Sequence, residues 1–82
     1  MQTVCLFAAD YASPKSLHLA LKELLSLPDY YGMNADALND CLSEGRECPS
    51  LWVRREGDPE VCAALDRVIR VFQANGGTVK EL

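Results

Sequence analysis

The chain has 82 residues, twelve acidic against eight basic, and 49% hydrophobic residues, which is enough for a single domain with one modest core. Its net charge of −4 disfavours nucleic acid as a partner. No apolar run approaches the roughly 18 residues of a membrane span, and MQTVCLFAADY lacks the basic lead of a signal peptide, so the expected address is cytoplasmic.

Thr3 to Ala8 (TVCLFA) is a short apolar run with β-branched and aromatic members, as in a buried strand. Ser13 and Pro14 form an N-cap and first helical residue. The helix after them places Leu17, Ala20, Leu21, Leu24 and Leu25 on one face, and Pro28 is expected to stop it. In the following connection, Gly32 suits an irregular backbone angle. Asn34 caps a second helix running to about Ser43, with Leu38, Cys41 and Leu42 inward and Asp36, Asp40 and Glu44 outward. Gly45 ends that helix. Ser50 to Arg54 (SLWVR) reads as a second strand. Asp58 and Pro59 open a third helix to about Ala74, with Val61, Leu65, Val68, Ile69 and Phe72 at helical spacing. Asn75-Gly76-Gly77 closes it, leaving Thr78 to Leu82 for a terminal strand. The order β-α-α-β-α-β predicts one α/β domain over residues 1–82, in two or three layers around a parallel sheet.

Catalysis finds little support. His18 is the lone histidine and lies in an amphipathic helix, where a structural role outweighs that of a general base. Cys5, Cys41, Cys48 and Cys62 have no CxxC or metal-ligand spacing, which argues against a metal. Their even number would allow two disulfides, which the lack of a signal peptide disfavours, and no glycine motif points to a nucleotide cofactor. Gly76-Gly77 follows a helix, so it is not a phosphate loop.

The charge is concentrated. Residues 29 to 48 hold Asp29, Asp36, Asp40, Glu44 and Glu47 against Arg46 alone, a net of −4; the rest of the chain is balanced. Like charges at i,i+4 cost a helix roughly 0.2–0.5 kcal/mol, and acids near a helix C-terminus oppose its dipole. Such a patch suits a basic partner. Of the adjacent Tyr30 and Tyr31, one is expected in the core and the other exposed beside the acids; the pattern does not say which.

The string from Leu17-His18 through LPDYYGMNADALNDCL, with Pro49 and Val71-Phe72 in register, resembles the barstar family of intracellular ribonuclease inhibitors. The resemblance implies a small three-stranded parallel sheet packed by helices, and no enzymatic activity. It implies a monomer that plugs the active site of a secreted bacterial ribonuclease, or a similar basic nuclease. Asp40 would be the central carboxylate, standing in for a substrate phosphate. Asp36 would add a second, Tyr30 would pack near the catalytic histidine, and Gly32 and Asn34 would shape the loop. Four positions depart from the family: Asn39 and Gly45 stand where it has interface tryptophans, and Ala74 where it has an acid. Glu44, on the same rim, replaces a glycine. The rival reading is an acidic interaction module for another basic protein, such as a deoxyribonuclease or a regulator.

Overall fold

The computed structural model describes residues 3–29, 31–44 and 48–82. Strand β1 (Thr3–Phe7) leads through a 3-10 turn (Ala8–Asp10) to helices α1 (Pro14–Leu24) and α2 (Ala35–Leu42). Strand β2 (Ser50–Arg54), helix α3 (Pro59–Ala74) and strand β3 (Val79–Glu81) complete the chain. The strands form one parallel sheet in the order β1-β2-β3.

Alternation along the strands decides the number of layers. Val4, Leu6, Leu51 and Val53 are buried, whereas Thr3, Cys5, Trp52 and Arg54 between and beside them are exposed. The sheet therefore presents one face to the helices, and among the described residues no element covers the other. The fold has two layers. The core between them is built from Leu17 and Leu21 of α1, Leu38 and Leu42 of α2, and Val61, Leu65, Val68 and Phe72 of α3.

The capping signals in the sequence work largely as expected. The Ser13 side chain accepts from the Ser16 amide, Asn34 from Ala37, and Asp58 from Glu60. The first strand ends at Phe7, one residue short of expectation, because Ala8 enters the 3-10 turn.

Helix α1 stops by a different device from the expected proline. Ser26 adopts φ 52°, and its amide reaches Glu23 O while the Leu27 amide reaches Lys22 O. That pair of bonds is a Schellman motif with serine in the left-handed position. The turn seats Leu27 in the core at 6% exposure and leaves Leu24, expected inward, 43% exposed. Helix α3 closes by the same pair of bonds, Gly76 to Gln73 O and Gly77 to Phe72 O. There Gly76 supplies the positive φ of 82°.

Candidate functional site

The site is assembled from α2 and the connection before it. Helix α2 has only eight residues, too few to persist alone, so its orientation depends on its buried face and its cap. Leu38, Cys41 and Leu42 are buried. At the N-terminus, Asn34 Oδ1 accepts from the Ala37 amide at 2.8 Å, while Asn34 Nδ2 donates to Gly32 O at 3.2 Å. One side chain thus joins loop and helix.

The irregular backbone angle expected at Gly32 lies one residue later, at Met33, with φ 58°. A left-handed residue immediately before the cap turns the chain into the helix, and Met33 packs part of its side chain on the core. Gly32 serves close approach instead. A Cβ there would stand 3.3 Å from the Ala37 Cβ, a tight contact with the first turn of α2.

The second anchor was only half visible in the sequence. Tyr31 is the buried tyrosine, at 4% exposure; Tyr30 lies outside the described residues, as does Gly45. The Tyr31 hydroxyl stands 2.6 Å from His18 Nδ1 and 3.4 Å from Asn34 O. Both contacts are satisfied together when Nδ1–H donates to the tyrosine oxygen and the hydroxyl donates to the carbonyl, a tautomer assigned from this network. Asn34 O also accepts the Leu38 amide. A relay thus runs from α1 through Tyr31 to the cap of α2. His18 thereby holds the connection that leads into the acidic helix α2.

Burial lowers the His18 pKa and raises that of Tyr31. A folded-state histidine pKa below the unfolded value of about 6.5 means that the unfolded chain binds more protons as pH falls through that region. Stability is then complete above the unfolded pKa and declines as pH drops toward the folded one. Urea midpoints should fall between about pH 7 and pH 5. In His18→Gln this decline should flatten, from a lower starting midpoint because the relay is broken. His18 is the chain's one histidine, so the assignment is direct. A parent midpoint that rises on acidification would contradict it.

The acids lie where the spacing places them. Asp36, Asp40 and Glu44 are exposed, and among the described residues none of them forms an ion pair. The pairs formed are Lys22 with Asp29, at 3.7 Å, and Arg55 with both Asp66 and Glu81. Asp36 occupies the first turn of α2, where the helix dipole favours it. Asp40 and Glu44 lie toward and beyond the other end, where it does not. Asn39, also exposed, accepts a hydrogen bond from Asn75 Nδ2 at 2.9 Å, and the same Nδ2 donates to Val71 O at 2.8 Å. The end of α3 thus props the outer face of α2, a contact between positions 36 apart that no local pattern signals. Ala74, beside it, is exposed. Among the described residues no group of three or more His, Cys, Asp or Glu could hold a metal ion, and no helix is long and apolar enough to cross a membrane.

Comparison with known proteins identifies the family of the chain. The family model described as "Barstar (barnase inhibitor)" matches residues 1–76. A Bacillus subtilis (strain 168) protein, "Putative ribonuclease inhibitor YrdF", is 41% identical over 49 residues, which are 60% of this chain. The match spans about half of that protein, 54% of its length.

Proposed function

The chain belongs to the barstar family, and from that premise we propose that it inhibits a ribonuclease by inserting the acidic face of α2 into the enzyme's active site. Asp40 and Asp36 take the places of substrate phosphates among the enzyme's basic groups. The observation that carries this reading is the group of exposed carboxylates on and just beyond a short helix, which form no ion pair among the described residues and are held by the Asn34 cap and the His18–Tyr31 relay. Rigid presentation matters because any freedom left in the acids is lost on docking. Tyr30 and Gly32 complete the loop side of the surface, and Asn39 and Glu44 its rim. The protein acts in the cytoplasm as an inhibitor, not as an enzyme, of a nuclease that its producer secretes; it binds neither nucleic acid nor membrane and is a monomer when free.

The position of Asn39 favours a second reading of the partner. Where the family has an aromatic contact, this chain has an amide engaged with Asn75. A rim so altered fits a target other than the usual ribonuclease, and a deoxyribonuclease or a basic regulator remains the rival. Inhibition assays on a panel of basic ribonucleases and deoxyribonucleases separate the two.

Salt dependence tests the docking surface itself. The Debye length shrinks from about 30 Å at 0.01 M salt to about 8 Å at 0.15 M. Steering by an acidic patch should therefore slow association on the order of tenfold or more across that range, with a smaller change in the off-rate. Stopped-flow measurement with the inhibited nuclease provides the check. A salt-independent association rate would remove the acidic patch as the docking face.

A further inference from the structure

The uncovered face of the sheet has a chemistry of its own. Register places Cys5 beside Trp52, Trp52 beside Lys80, and Phe7 beside Arg54. Trp52 is 40% exposed and Leu82, at the end of the third strand, 49%. Each cation of the face lies over an aromatic ring. Lys80 Nζ is 5.2 Å from the Trp52 centroid, and the Arg54 guanidinium carbon is 5.9 Å from that of Phe7. Among the described residues no acid occupies a position on this face, although acids outnumber bases in the chain by twelve to eight. The surface combines exposed apolar side chains with two cations and lies on the opposite side of the sheet from the helices.

Parallel sheets generally have helices on both faces, because an uncovered side leaves apolar residues in water. Here one helical layer is missing. We propose that this face binds an acidic amphipathic helix of a partner protein, which supplies the second layer. Its apolar stripe would cover Trp52, Phe7 and Leu82, and its flanking carboxylates would meet Arg54 and Lys80, whose positions over the rings are already restricted. The acidic helix of a second copy cannot serve, because the apolar side of α2 is buried in its own core. A nucleic-acid strand is disfavoured by the chain's net negative charge, with only two cations on the face to offset it. The proposal is independent of nuclease binding. Because α2 belongs to the layer on the other side of the sheet, both partners fit at once.

The chain contains one tryptophan, so Trp52 fluorescence reports on this face without labelling. The probes are a Leu/Glu peptide of about five helical turns, roughly 18 residues, its Leu/Lys counterpart, a scrambled Leu/Glu peptide and an oligothymidylate. At low salt the amphipathic Leu/Glu peptide should shift the emission to shorter wavelength, and the other three should not. The double variant Arg54→Glu/Lys80→Glu should stay folded with only a slightly lower unfolding midpoint, since both side chains are exposed and lose just their ring contacts, while its affinity for the Leu/Glu peptide falls at least about tenfold. The proposal is overturned if the Leu/Glu peptide causes no shift, or if the Leu/Lys or scrambled peptide matches it. Tighter binding of the oligothymidylate, or an affinity unchanged in the double variant, overturns it as well.

Discussion

Asp40→Ala is expected to keep the fold and lose the inhibition. The side chain is exposed on α2 and makes no ion pair among the described residues, so its removal opens no cavity. It also relieves repulsion from Asp36 one turn away and an unfavourable position near the helix C-terminus, each a few tenths of a kcal/mol. The denaturation midpoint should be unchanged or slightly higher. Binding should weaken by about 2–5 kcal/mol, because basic groups of the enzyme are desolvated and left unpaired. This is the general cost of leaving one charge of a buried interfacial pair without its partner, for which the barnase–barstar complex is among the standard examples. Measuring urea denaturation and inhibition on one preparation separates the two effects. Normal inhibition by the variant would refute the phosphate-mimic reading, and easier unfolding would make the carboxylate structural.

Leu38→Ala, two residues earlier on the same helix, should do the reverse. Leu38 is 0% exposed and belongs to the core. Truncating a buried leucine costs about 2–5 kcal/mol in lost burial and residual cavity. A domain of this size holds only about 4–12 kcal/mol in total, so the loss is a large part of its stability. Inhibition should survive at low temperature or at high concentrations of nuclease, since binding to the folded form pulls the equilibrium back. Urea midpoints with and without bound nuclease give the comparison. A variant as stable as the parent would mean that α2 is not held by this side chain.

This contrast also marks how much of the site was legible in the sequence. The separation of Leu38, Cys41 and Leu42 from Asp36 and Asp40 follows from 100° per residue, and the structure has that arrangement. The caps at Ser13, Asn34 and Asp58 and the limits of β2 and α3 were legible for a similar reason. They depend on residues within a few positions of one another, where chain geometry leaves few choices. The parallel three-stranded sheet and membership of the barstar family followed from element order and from the long string around residues 27–42.

Other features needed the folded chain. Pro28 and Gly32 carried the expected helix stop and irregular angle, yet Ser26 and Met33 take the positive φ values. A left-handed residue is placed by what the chain must reach, here the seat of Leu27 and the cap at Asn34, and the surrounding packing overrides local preference. Tyr30 and Tyr31 were indistinguishable by pattern, and burial of Tyr31 was decided by a histidine thirteen residues away on α1. The Asn39–Asn75 bond and the basic, aromatic face shared by Phe7, Trp52, Arg54 and Lys80 join residues far apart in the chain. Sequence by itself determined which side of each element is apolar, because that depends only on the local period. Tertiary structure alone decided which apolar sides meet and which polar groups find one another. Among the described residues it also left one face of the sheet open, because helices in this order cover only the other.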